Sequence, residues 1–242
     1  MQQSKSSSSA RKPKKAAFVA EQAQRLGQFE LDKWQKEMQN VIRENTITFV
    51  DSFASTGKTF CALHYAVQDY LEDPTSTITF VRTPVDAGDD KIGALPGDAS
   101  TSMEGKLGVH FASTKAILGE LLGKGRVDCD EGKRIFFTIP NFILGATVNS
   151  TLIVDEAQML SPLTLKLLLE RIWKGGKCIV LGSSGQLYEN QKKRNALRDA
   201  INRFFNEDGS QKYANIGKYT FPIEAVKRDD VVRDVITAYD IG

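Results

Sequence analysis

The sequence is poor in the residues that make covalent or metal cross-links. Three cysteines (Cys61, Cys129 and Cys178) lie far apart, and only two histidines, His64 and His110, occur in 242 residues. An odd number of widely separated thiols argues against a disulfide framework, and with two histidines and no CxxC pair a zinc site is not expected. It points to reduced thiols in a cytoplasm-like compartment. Long apolar runs are also missing: none nears the roughly 20 residues of a membrane helix, and the first residues offer no apolar secretory leader. No membrane association is expected. Nor is there an excess of charge, since 32 Lys and Arg face 30 Asp and Glu for a net +2. Five cations without an acid (Lys5, Arg11, Lys12, Lys14 and Lys15) sit in residues 1–15, which leaves the rest of the chain at −3. This distribution weakens any argument for nucleic-acid binding from overall charge alone.

What is present is ordinary globular material, 41% hydrophobic and 26% charged, in a chain long enough for one sizeable core. Residues 1–15 are serine-rich and basic, and are expected to form a disordered tail before a folded unit over 16–242. The tail is either a solubilising segment or a loose phosphate-binding arm. From about Glu21 to Arg43 the pattern is helical, with Leu31, Trp34, Met38, Val41 and Ile42 on one face. Short strand-like runs follow at Thr46–Val50, Thr77–Arg82, Arg134–Ile139, Thr151–Asp155 and Lys177–Gly182. Their near-continuous apolar character suits parallel strands buried on both faces. Helical stripes separate some of them, Leu63-Ala66-Val67-Tyr70 and Leu163-Leu167-Leu168-Ile172 among them. This alternation predicts a doubly wound α/β fold with a mainly parallel sheet. Thr83 to Lys106 has no periodicity and reads as a long loop. A helix near Lys192–Phe205, a strand near Tyr219–Phe221 and a helix over Asp229–Tyr239 close the chain.

Between the first strand and the next helical stripe lies Ser52-Phe53-Ala54-Ser55-Thr56-Gly57-Lys58-Thr59-Phe60. The strand–loop–helix setting and the Gly57-Lys58-Thr59 ending match the length of a Walker A loop, GxxxxGK[ST]. In such a loop, backbone N–H groups and a helix N-terminus surround phosphate. Lys58 would reach the β- and γ-phosphates, and the Thr59 hydroxyl would help hold Mg²⁺. Ser52 stands where the pattern has its first glycine, so a left-handed conformation there would cost about 1 kcal/mol or more. The plainer alternative is a GKT that merely opens a helix.

A second constellation is the apolar strand that ends in Asp155-Glu156-Ala157-Gln158. Carboxylates at the C-terminal edge of a parallel sheet lie where ligands bind. Asp155 would hold Mg²⁺, and Glu156 would polarise an attacking water. The alternative is a helix-capping acidic pair. The next strand runs into Gly182-Ser183-Ser184-Gly185-Gln186. Gln186 could there hydrogen-bond a γ-phosphate or the attacking water and report its loss, unless this is a plain Gly/Ser turn. Upstream, Gln35 offers an amide able to read an adenine edge.

Together and in this order, these pieces resemble the PhoH-like ATPase family, which is related to superfamily 1 helicases. The resemblance covers about Trp34 to Tyr239. It rests on Gln35, Ser55–Thr59, Arg82-Thr83-Pro84-Val85-Asp86-Ala87-Gly88, Leu95-Pro96-Gly97-Asp98, Asp155–Gln158, Arg171, Gln186 and Val231-Val232-Arg233. It implies a single RecA-like domain that hydrolyses ATP with Mg²⁺ in the cytoplasm and acts on single-stranded RNA or DNA, sometimes as a helicase. It also implies homo-oligomeric rings, hexamers among them, in which an arginine completes a neighbour's site; Arg228 and Arg233 are the candidates. Compact versions of the family are common in bacteriophages, where the compartment would be the host cytoplasm. Arg82, with Lys91, Lys106 and Lys115, is a candidate for nucleic-acid contact.

Three departures stand out. Ser52 and Ser55 replace glycines of the family's loop, Leu144-Gly145-Ala146-Thr147 lacks the two arginines of an Arg-Gly-Arg-Thr element, and Gly182-Ser183 replaces Gly-Asp. Two other functions share some of these motifs. A nucleoside kinase of the thymidine kinase type also pairs a P-loop with Asp-Glu-Ala-Gln, but its four-cysteine zinc lobe cannot be built from three scattered cysteines. A nucleotide-binding scaffold of low turnover would tolerate the departures.

Overall fold

The computed structural model describes residues 20–83, 99–143, 145–185 and 195–238, with backbone alone for 99–107 and 109. Six strands form one sheet: β1 (Ile47–Asp51), β2 (Ile78–Arg82), β3 (Ile135–Thr138), β4 (Thr151–Asp155), β5 (Lys177–Gly182) and β6 (Ile216–Thr220). Every pairing is parallel, in the order β3-β2-β4-β5-β1-β6. After a short helix over residues 20–26, the helices are α1 (Lys33–Glu44), α2 (Lys58–Glu72), α3 (Ala99–Leu122), α4 (Lys124–Asp130), α5 (Pro140–Ile143), α6 (Pro162–Leu169), α7 (Ala196–Phe204) and α8 (Asp230–Ile236). The α/β fold with a parallel sheet between helices is as the sequence predicts.

Side-chain alternation along the strands divides the interior in two. Val50, Ile78, Phe80, Ile153, Ile179 and Leu181 pack with Met38 and Ile42 of α1, Cys61 and Leu63 of α2, and Phe111 and Leu118 of α3. Their strand neighbours Phe49, Val81, Leu152, Val154, Cys178 and Val180 face the other way, onto Leu165 and Leu168 of α6 and Leu197 and Ala200 of α7. Burial on both faces explains why the strands read as unbroken apolar runs.

Several boundaries differ from the sequence reading. The helical pattern expected from Glu21 to Arg43 is two pieces, because residues 27–32 leave the helix and Asp32 starts α1 afresh. The Asp32 carboxylate accepts from Gln35 N while Gln35 Oε1 accepts from Asp32 N, a reciprocal capping box. The expected loop over Thr83–Lys106 is helical from Ala99 onward, since α3 continues as far as Leu122 and buries Phe111, Thr114, Leu118, Leu121 and Leu122 at helical spacing. Neither α3 nor α4 is expected from the sequence pattern. Strand β6 begins at Ile216, earlier than expected, because it pairs with β1 along Ile47–Asp51. The basic tail, Lys91, Leu144 and Gln186 lie outside the described residues. Among the described residues no helix is long and apolar enough to cross a membrane.

Candidate nucleotide site

Parallel pairing brings the C-terminal ends of β1, β4, β5 and β2 to one edge, and there the predicted motifs converge. Strand β1 enters a loop that ends at Gly57, which is left-handed at φ 82° and opens the 15-residue α2. A Cβ on Gly57 would lie 2.9 Å from Gln35 Nε2, so φ and space both require glycine here. No side chain caps α2, which leaves the first N–H groups of the helix as donors. Ser52, 4% exposed, keeps a negative φ, and the strain anticipated there falls on Ser55, at φ 64°. Ser52 Oγ meets Thr56 Oγ1 at 2.8 Å, and the Phe53 carbonyl accepts from Ser52 Oγ, Thr56 Oγ1 and Lys58 Nζ at 3.2–3.3 Å. The loop is thus held in shape from within. Its lysine rests on a carbonyl that a phosphate would displace.

Asp155 ends β4 almost fully buried, and its Oδ1 has no hydrogen-bond partner among the described residues. Burial first, then the adjacent Glu156, push its carboxyl up to about 6, while Arg82 and Lys58 pull the other way. A buried, partnerless carboxylate oxygen is what a hard cation needs, so the residues fit Mg²⁺ held by Asp155. Thr59 supplies a hydroxyl in the first turn of α2. Among the described residues no cluster of three or more His, Cys, Asp or Glu side chains forms a richer metal site.

Glu156 is left-handed at φ 54°, turning the chain sharply from β4 into a 3-10 turn over Ala157–Met159. Arg82, which pairs in register with Asp155, approaches Glu156 Oε1 at 3.6 Å. This places Arg82, a candidate for nucleic-acid contact, beside the acidic pair. Gln158 has a role that the sequence did not announce. Its Nε2 donates to Glu156 Oε2 at 2.7 Å, and its Oε1 accepts from Ser183 N at 3.2 Å. One buried amide therefore joins the acidic turn to the end of β5. Gly182 makes room for it, because a Cβ there would lie 2.6 Å from Gln158 Oε1. Asp51 adds a second tie to the β5 turn, accepting from Ser184 N at 2.8 Å and Ser184 Oγ at 2.6 Å. A polar residue closing an apolar strand was the only sequence signal for Asp51.

The chain after β6 returns to the back of the loop. Lys227 N donates to the Ser55 carbonyl at 3.0 Å, and Lys227 Nζ meets Asp32 Oδ2 at 2.9 Å. Gln35 is 2% exposed; its Oε1 serves the capping box, and its Nε2 lies beside Gly57. Arg233 donates from Nη1 to Asp230 Oδ1 at 2.7 Å and from Nη2 to the Val226 carbonyl at 3.2 Å. Arg228 is exposed and has no hydrogen bond or ion pair among the described residues.

The pattern of the PhoH-like protein family matches residues 30–240, most of the chain. The chain belongs to the PhoH-like family. A PhoH-like protein of Synechocystis is 33% identical over 154 residues, 63% of this chain and 45% of that protein. One from Bacillus subtilis is 27% identical over 208 residues, 85% of this chain and 62% of its own length. Another, from Mycobacterium tuberculosis, is 28% identical over 173 residues, 69% of this chain and 47% of that protein. The PhoH-like chain described here thus spans about half the length of these curated relatives. Among solved structures, Bacteroides Pif1 bound to ssDNA overlaps 86% of this chain and 46% of its own at 14% identity, with a TM-score of 0.34. A score that low establishes neither topology nor function. Family and geometry together give a PhoH-like P-loop NTPase domain.

Proposed function

We propose that the chain hydrolyses ATP with Mg²⁺ and couples hydrolysis to binding or remodelling single-stranded nucleic acid, RNA in the first instance. The observation that carries this reading is the partnerless Oδ1 of buried Asp155, at the sheet edge where Lys58, Arg82 and Glu156 gather around it. Thr59 and Asp155 would hold Mg²⁺, which when bound neutralises charge on the β- and γ-phosphate oxygens. The uncapped N-terminus of α2 and Lys58 bind the phosphates, with Lys58 leaving the Phe53 carbonyl. Glu156 accepts a proton from the attacking water, and Gln158 holds that carboxylate at a set angle. Gln35 would read the base through Nε2, and Gln186, outside the described residues, would hydrogen-bond the γ-phosphate or the attacking water. In a ring, such as a hexamer, Arg228 completes the neighbour's site, for which its exposed and unpaired guanidinium suits it.

The test is ATP turnover by the wild type and Lys58→Ala, alone and with single-stranded RNA, single-stranded DNA or thymidine. RNA-stimulated turnover that disappears in Lys58→Ala supports the proposal. Phosphorylated thymidine would replace it with a kinase, and tight ATP binding without turnover would replace it with a scaffold.

A further inference from the structure

Arg233 is held differently from an arginine waiting for a neighbour's phosphate. Its Nη2 donates to the carbonyl of Val226, and the N–H on the far side of that same peptide, Lys227 N, donates to the carbonyl of Ser55. The peptide is trans, so its C=O and N–H point in opposite directions. Arg233 and Ser55 therefore stand at the two ends of one continuous hydrogen-bonded line. Ser55 is the loop residue that carries left-handed strain, at φ 64°. A cation on the carbonyl end polarises the peptide and strengthens donation from its N–H end. The Lys227 side chain follows the same course: its Cε lies 3.7 Å from where a Gly57 Cβ would be, and its ammonium reaches Asp32, which caps the helix carrying Gln35.

From this line we infer that Arg233 is a positioning residue of its own chain's P-loop, acting through the Val226–Lys227 peptide to hold Ser55 in its left-handed turn. The inference depends on the nucleotide site but assigns Arg233 a role separate from that of a finger. A finger meets the γ-phosphate and leaves ADP binding untouched. A residue that shapes the loop changes binding of any nucleotide with α- and β-phosphates. ADP therefore separates the two roles.

The experiment titrates wild type, Arg233→Ala, Arg233→Lys and Lys227→Pro with a fluorescent ADP, and follows amide exchange at Lys227 in nucleotide-free protein. Losing one charge-assisted bond predicts about tenfold weaker ADP binding in Arg233→Ala. Arg233→Lys, which keeps a cation able to meet one carbonyl, restores most of it. Lys227→Pro deletes the N–H and follows Arg233→Ala, and Val226 at φ −63° and ψ 120° is already suited to precede proline. Amide exchange at Lys227 speeds up in Arg233→Ala. ADP affinity within twofold of wild type in both Arg233→Ala and Lys227→Pro overturns the inference, as does unchanged exchange at Lys227. If the wild type binds no ADP yet Lys227 loses protection in Arg233→Ala, the relay stands and the proposed ATPase falls.

Discussion

Replacing Asp155 by asparagine should stabilise the nucleotide-free protein while removing the proposed Mg²⁺ site. Asp155 is 3% exposed, and burial beside Glu156 raises its carboxyl from 3.8 to about 6. Below pH 3.8 the group is protonated in both folded and unfolded chains and contributes no difference. Between 3.8 and about 6 the unfolded chain ionises first, so stability is lost as pH rises, and above about 6 the loss is complete. A shift of that size corresponds to about 3 kcal/mol. Asparagine keeps the shape and still accepts the backbone bond from Glu156, but its amide brings N–H donors that need partners, so the net gain is about 1–3 kcal/mol. For a chain of this length that is roughly 3–10 °C in melting temperature. Thermal melts in EDTA at pH 8 should place Asp155→Asn above the wild type, and the gap should close by pH 4. With Mg²⁺ and ATP the wild type should gain and the variant should not, and wild-type Mg²⁺ affinity should fall below about pH 6 as the proton competes. A variant that melts at or below the wild type at pH 8 would refute the reasoning.

Two smaller substitutions probe the loop and the acidic turn. Ser55→Gly relieves a left-handed residue at φ 64° and should add about 0.5–1 kcal/mol in urea denaturation; a loss of stability would show that the serine side chain matters more than the backbone strain. Gly182→Ala forces a methyl to 2.6 Å from Gln158 Oε1 and 2.8 Å from Leu197 Cδ2, and should cost about 1–3 kcal/mol by thermal melting and slow ATP turnover through the displaced Glu156. A variant as stable and active as the wild type would remove Gln158 from the positioning of Glu156.

Residue order alone determined the fold class and the two motifs of the candidate site. Buried strands leave apolar runs such as Leu152-Ile153-Val154, and a loop that turns through left-handed backbone into a helix leaves Gly57-Lys58-Thr59. Both are local requirements, so both are written locally. Helix α3 is not written locally, because its first residues, Ala99-Ser100-Thr101-Ser102, have the composition of a loop. Tertiary structure decided which distant groups meet. That β5 lies between β1 and β4 follows from sheet order, and only this order lets Gln158 join Glu156 to Ser183 and lets Asp51 hold Ser184. The return of residues 226–233 to the back of the loop is likewise a long-range pairing, 172 residues from Ser55 to Lys227 along the chain. Hydrogen bonds across such distances depend on the positions of packed layers, and a single chain's periodicity does not record them.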